Sequence, residues 1–217
     1  MTELAKRGGH RLRGLQEGVK LAVLVKEEAI MQASHQLAED RYESLREYAR
    51  NIALESMPNY MSNSRGQPID IGKSVQLRSI DIQSKAKAKQ WETSPYRRVD
   101  WSWPGGASEY AWRHPKRFEV AIWYRNLFLC GLGLGRPTWS GNKLRLDFLE
   151  ASPKTTPLTG LVSLIAVGAA EAYADAIGAV QLRIMSPINS KVKDHYLNSL
   201  NGYSYNARGN YCYRDLA

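Results

Sequence analysis

The chain has 217 residues, 43% of them apolar and 24% charged, and carries a formal charge of +9. It reads as an ordinary soluble protein of one or two domains, long enough to bury a full core. No apolar run reaches the roughly 18 residues of a membrane span, the opening MTELAKRGGHRLRG lacks the apolar stretch of a signal peptide, and the two cysteines and four scattered histidines show no metal spacing. The expectation is a cytoplasmic protein with reduced thiols, no membrane contact and no metal.

In chain order, residues 14–57 have helical periodicity: Leu15, Val19, Ala22 and Val23 share a face, then Ile30, Ala33 and Leu37, then Tyr42, Leu45, Ala49 and Ile52. One long helix or a helical hairpin broken near Ala38–Arg41 fits, and such an extension suits homodimer formation. Residues 58–72, rich in Pro, Asn, Ser and Gly, read as a loop, so the expected organisation is an extension at 1–57, a linker at 58–73 and a domain at 74–217. SVQLRSIDI then alternates as a first strand, QSKAKAKQWE starts a helix, and WSWPGGASEYAWRHPKRF is a loop followed by a short helix. RFEVAIWY, LFLCGLGLG and KLRLDFLEA are three strands. The first two are joined by a tight turn at Arg125-Asn126, and links this short predict antiparallel neighbours. Leu158 to Ile177 is an Ala-rich helix ended by Gly178. AVQLRIMSP is a strand, INSKVKDHYLNS a helix, and GYSYNARGNYCYRDL closes the chain as one or two strands.

The basic balance favours acidic partners. It is concentrated in residues 64–98, where Arg65, Lys73, Arg78, Lys85, Lys87, Lys89, Arg97 and Arg98 face only Asp70, Asp81 and Glu92. Trp91, Tyr96, Trp101, Trp103, Tyr110 and Trp112 are interleaved with Arg97, Arg98, Arg113, Lys116 and Arg117. Residues 85–117 therefore either hold a nucleic-acid or protein acceptor by stacking and charge, or form a lid packed on the sheet.

With the element order on the page, residues 74–217 resemble the GNAT acyltransferase superfamily. The passage from LRLDFLEA to NGYSY is similar to that family's strand, cofactor loop, long helix, strand, helix and closing Gly-aromatic pair. Asn189, Val192, Tyr196 and Gly202-Tyr203 follow its spacing, with the last turn about two residues longer. The resemblance implies an α/β (α+β) fold with a mixed, mostly antiparallel sheet flanked by helices. It also implies that the strands Leu144–Ala151 and Val180–Ser186 splay to admit the pantetheine of acetyl-CoA or another acyl-CoA. Tyr196 would protonate the leaving thiolate, and Asn189 would contact the cofactor arm. Leu149 and Ala151 would supply backbone hydrogen bonds, while Thr159, Gly160 and Leu161 would cradle the pyrophosphate at a helix start. Read from its own chemistry, Asn189 is equally a helix N-cap.

The cofactor loop departs from the family's [QR]-x-x-G-x-[GA]. Pro157 stands where Gln or Arg is expected and Val162 where Gly or Ala is, with Gly160 retained. Pro also removes a donor N–H; Lys154, Thr155 and Thr156 offer substitutes. An altered coenzyme A site, another donor such as aminoacyl-tRNA, or a non-catalytic module all fit that loop. For the base that deprotonates the acceptor amine, Glu150 is preferred over Asp147. The two are expected on opposite faces, because an offset of three along a strand puts them on opposite sides. Glu119 is expected to pair with Arg117, and GLGLG at 131–135 is expected to be a strand with small residues facing a neighbour rather than a phosphate loop.

Overall fold

The protein is described from a computed structural model, which covers residues 31–216. The chain divides into two compact units, Met1–Arg41 and Tyr42–Ala217. In the first unit residues 31–41 are helical. The expectations for residues 1–30, including pairing through N-terminal helices, lie outside the described residues. Among those described, no helix is long and apolar enough to cross a membrane.

The second unit opens with α1 (residues 42–56). Ala49 and Ala53 of α1 are buried in the main core. Arg46 is fully buried on the same helix. Its Nε donates to Glu43, and its Nη1 donates to the carbonyls of Pro115 and Arg117. Segment 58–73, expected as a linker, is folded: β1 (Tyr60–Ser62) and β2 (Pro68–Asp70) form a hairpin, followed by the short helix α2 (Ile71–Ser74). Asn63 and Gly66 make the turn of the hairpin, and Ile69 and Ile71 hold it to the core.

A seven-stranded sheet follows. Its strands are β3 (Val75–Arg78), β4 (Phe118–Tyr124), β5 (Phe128–Pro137), β6 (Leu144–Ala151), β7 (Gln181–Met185), β8 (Ser204–Asn206) and β9 (Tyr211–Asp215). The spatial order is β3-β4-β5-β6-β7-β9-β8, with β6 and β7 parallel and the other neighbours antiparallel. Arg125 and Asn126 both adopt positive φ in the short turn between β4 and β5, closed by the Leu127 N–H donating to the Tyr124 carbonyl, as a primed turn requires.

Helices α3 (Ile82–Lys89) and α4 (Trp103–Arg113) cover one face, around Trp91, Trp103, Trp123 and Leu132. Asp81 caps α3 through the Ser84 N–H. The other face carries α5 (Val162–Ala176) and α6 (Ser190–Ser199). Ala166, Ala169, Ala170 and Ala174 are fully buried, so the small side chains let α5 lie close on the sheet. This helix starts at Val162 rather than at Leu158 as expected. Pro157 lacks the N–H of a helix residue, and Gly160 has φ +92.

The glycines of GLGLG are strand residues whose missing Cβ atoms make room. A Cβ on Gly131 would strike the Val162 side chain of α5. One on Gly135 would lie 2.1 Å from the Arg145 carbonyl oxygen of β6. Gly135 sits beside a β-bulge: Leu134 faces Phe148 and Gly135 faces Leu146, which leaves Asp147 without a cross-strand partner. Gly135→Ala is therefore expected to destabilise the protein by about 3 kcal/mol, because backbone rather than a movable side chain must give way. Gly105→Ala, where an added Cβ meets nothing within 4 Å, is expected to be neutral or stabilising by up to about 1 kcal/mol. Urea denaturation of the two variants checks this; equal midpoints would disprove the clash.

Candidate active site

The parallel pairing of β6 with β7 covers only Leu144↔Leu182, Arg145↔Arg183 and Leu146↔Ile184. Beyond it β6 continues to Ala151 against β5 alone. The opening is the mouth of a cleft of about 1300 Å³ that passes through the sheet, with walls from both faces. On the α5 side it is lined by Gly160, Val162, Ser163, Val192, His195 and Tyr196. On the α4 side Arg97, Trp101, Tyr110, His114, Asp147 and Glu150 line it.

The bulge decides which β6 side chains face α4. Asp147 accepts from the Tyr110 hydroxyl at 2.7 Å, and Glu150 accepts from the Trp103 indole at 2.6 Å. Tyr110 and Trp103 both belong to α4, so the two carboxylates share a face. The opposite-face expectation fails because the extra residue at Asp147 resets the strand's alternation.

Glu150 is 7% exposed and is gripped by Arg97, whose Nε donates to Oε1 at 2.8 Å and Nη2 to Oε2 at 3.0 Å. Arg97 also donates to the Trp101 carbonyl. Both oxygens of Glu150 are thus engaged and its charge is matched. This differs from the free carboxylate that a proton acceptor needs, and it ties the coil between α3 and α4 onto the sheet. Asp147 is similarly engaged: Oδ1 accepts from Arg145 Nε and Nη2 at 2.9 and 2.7 Å, and Arg136 Nε lies 3.5 Å from Oδ2. Burial, then the charge of Asp147, holds the Tyr110 phenol protonated. His114 lines the same wall with its ring edge-on to Tyr110. Burial, then the charge of Arg136, lowers its pKa, so the imidazole is neutral at pH 7.

Tyr196 lies in the cleft, 7% exposed, and its pKa is pushed up to about 12 by burial and then by Cys212. Among the described residues no group hydrogen-bonds its hydroxyl. Leu149, Ala151 and Gly160 line the cleft. Three other expected contacts are placed differently. Thr159 turns its hydroxyl to the Thr156 carbonyl. Leu161 is buried at the N-cap of α5. Asn189 caps α6, its Oδ1 accepting from the Val192 N–H at 3.0 Å, and its neighbour Ile188 lines the cleft in its stead.

The loop before α5 is braced from behind by the β1–β2 hairpin. Asn63, 6% exposed, donates to the Pro157 carbonyl, and the Ser64 N–H donates to the Thr159 carbonyl. A Cβ on Gly160 would lie 3.0 Å from that of Ser64, so this glycine serves the close approach of the hairpin as well as its positive φ. Ser163, in the first turn of α5, is bonded to His195 Nε2 at 2.7 Å.

Of the interleaved aromatics, Trp91 and Trp103 are buried and Trp101 and Tyr110 pack with them, leaving Tyr96 and Trp112 exposed. The region is largely a layer packed on the sheet, not a stacking platform.

No protein-family model matches this sequence, and no curated protein matches it either. Solved structures do. An acetyltransferase of the GNAT family from Staphylococcus aureus superimposes with a TM-score of 0.52 over 66% of this chain and 99% of that one, at 9% identity. The chain has the GNAT fold. Ard1 from Thermoplasma volcanium (TM-score 0.49, 10% identity, 66% of this chain and 98% of that one) also matches. So does PaiA N-acetyltransferase from Thermoplasma acidophilum in complex with coenzyme A (TM-score 0.43, 12% identity, 65% and 99%). Asp147 was weighed in the sequence only as a base second to Glu150, and His114, Arg136 and Arg145 carried no signal there, though all four line the cleft. The bulge that gathers three of them around the cleft has no signature in LRLDFLEA.

Glu150→Ala removes the partner of a buried guanidinium and is expected to lower stability by about 3–5 kcal/mol. Glu109→Ala breaks an exposed pair with Arg113 and is expected to cost about 0.5 kcal/mol or less. Urea midpoints compare the two, and a small loss for Glu150→Ala would mean the pair is not the anchor described.

Proposed function

We propose that the protein is an N-acyltransferase that moves an acyl group, acetyl in the simplest case, from coenzyme A to an amine. The observation that carries this reading is the cleft opened by the parting of β6 and β7, with Tyr196 set in its wall. The unpaired edge of β6 from Asp147 to Ala151 offers backbone groups to a pantetheine arm, as a strand edge does to an added strand. At the α5 end, Lys154, Thr155, Gly160 and Ser163 line the cleft. The first N–H groups of α5 are open there, with no acidic residue in the first turn, which suits a pyrophosphate despite Pro157 and Val162.

In this reading the acceptor ammonium gives one proton to the neutral His114 imidazole. The freed amine attacks the thioester carbon, the C–N bond forms as the C–S bond breaks, and a second proton passes from nitrogen to sulfur. Tyr196 donates its hydrogen bond to the departing sulfur. A pKa about 12 keeps the phenol protonated. Full transfer to a thiolate whose acid lies near 8.5 would cost roughly 5 kcal/mol, so Tyr196 stabilises the charge more than it surrenders the proton. Glu150 positions Arg97 and, through it, the wall of the cleft.

Two measurements test the proposal. Acetyl-CoA at about 1 mM is expected to raise the melting temperature by roughly 5 °C or more if its Kd is near 10 μM; no shift at that concentration sinks the reading. Tyr196→Phe is expected to reduce kcat by about 10- to 100-fold with little change in the KM for acetyl-CoA. Because the acid form is lost only as pH rises through about 12, Tyr196 adds no alkaline limb between pH 7 and 10. A limb in that range that vanishes in Tyr196→Phe would contradict the assignment.

A further inference from the structure

Beside the α4 wall of the cleft lies a smaller pocket of about 250 Å³. It shares Trp101, Tyr110, His114 and Phe148 with the main cleft and extends inward to Trp103, Ala107 and Leu134. Aromatic and apolar side chains make most of its walls, with the Glu109–Arg113 ion pair, Ser102 and His114 beside them; Phe148 meets Trp101 and Tyr110 edge to face, with ring centres 5.2 and 5.9 Å apart. The Trp101 Nε1–H is buried there without a hydrogen-bond partner among the described residues.

The charge at the mouth of this pocket is unbalanced. Arg97 and Glu150 cancel. Arg136 and Arg145, about one third exposed, share the single carboxylate of Asp147, which also takes the Tyr110 hydroxyl. One positive charge is left over on guanidinium forks that line the cleft. Arg98, also on the wall, has no carboxylate partner among the described residues. A cationic amine with no acid of its own meets a repulsive field there. An amine that carries one carboxylate matches that surplus charge and can take the guanidinium N–H groups that Asp147 leaves open.

Resting on the acyl-transfer reading, we infer that the acceptor is an α-amino acid with a bulky apolar or aromatic side chain. Arg136 and Arg145 receive its carboxylate, the side pocket between α4 and the sheet takes the side chain, and the amine lies beside His114 toward the parted strands. The geometry argues against a polyamine, whose further positive charges would face the same two arginines.

Four amines offered with acetyl-CoA test this: L-phenylalanine, phenethylamine (the same molecule without its carboxylate), glycine (the carboxylate without a side chain) and spermidine. Thiol release and product mass are followed. L-phenylalanine is expected to exceed phenethylamine about 100-fold in kcat/KM and glycine about tenfold, with spermidine below all three. Arg136→Gln and Arg145→Gln are each expected to cut the phenylalanine-to-phenethylamine ratio about tenfold, through the KM for phenylalanine. The acetyl-CoA melting shift, expected to persist in both variants, shows that the fold and cofactor site remain. Phenethylamine or spermidine matching phenylalanine, or a ratio unmoved in both variants, overturns the inference. If none of the four is acetylated while acetyl-CoA still shifts the melting temperature, the acceptor assignment fails and the acyltransferase reading stands. If the shift is also absent, both fail together.

Discussion

Everything in this structure that bears on chemistry depends on two parallel strands letting go of each other. After Leu146 and Ile184 the backbone of β6 loses its partner on one side while β7 turns to β9. Backbone N–H and C=O groups without partners inside a protein are costly, so strands do not part without a cause. Here the cause is visible on the far side of β6. The bulge at Asp147 twists the strand away, and Gly135, with no Cβ, lets the bulged backbone come close enough for β5 to keep its grip. The cleft is therefore held open by the sheet itself and does not wait on a ligand to pry it apart.

A gap through the middle of a sheet would collapse or fill with water unless its walls were fixed. Three devices fix them, each spending a buried polar group. The coil between α3 and α4 is pinned by Arg97 on Glu150, with the Trp103 indole on the same carboxylate. The loop before α5 is pinned from outside by Asn63 and Ser64 of the β1–β2 hairpin. At the start of β4, the fully buried Arg46 of α1 binds two carbonyls and Glu43. Paired and hydrogen-bonded, such charges are not strong sources of net stability, but removing one partner is severe. They specify where loops sit more than how stable the domain is. The loop before α5 fits this scheme: Pro157 cannot donate an N–H, but its carbonyl is one of the two points at which the hairpin holds the loop.

The same arrangement separates the two ends of the cleft by chemistry. Toward α5 there is an open helix start with Lys154 and small polar side chains. Toward α4 there are two arginines on one aspartate, an aromatic wall and a neutral histidine. Tyr196 lies in the α5-side wall, its phenol kept protonated by burial. A ligand that spans both ends displaces water from these walls, which strengthens each hydrogen bond they make to it.

Element types and order were written in the sequence because they are set by local physics. Alternation makes β3 and β6, a primed turn at Arg125-Asn126 makes the β4–β5 hairpin, buried alanines make α5, and Asn189 makes the start of α6. The spacing from Asn189 to Tyr196 was legible for the same reason, since two helical turns put both on one face. What Asn189 does with its side chain was open on paper, and the cap won because the Val192 N–H lies within reach whatever else is present. The hairpin at 60–70 was missed because three-residue strands carry too little pattern to stand out from a loop. The pairing of Glu150 with Arg97, 53 residues earlier, and the shared face of Asp147 and Glu150 were beyond sequence reasoning altogether. The first is a long-range ion pair, and the second follows from one extra residue in a ladder. Periodicity determines which side chains a regular strand presents, but only the tertiary structure decides where that regularity breaks. The break is set by a glycine on the neighbouring strand and the packing behind it, neither of which a strand's own residues record.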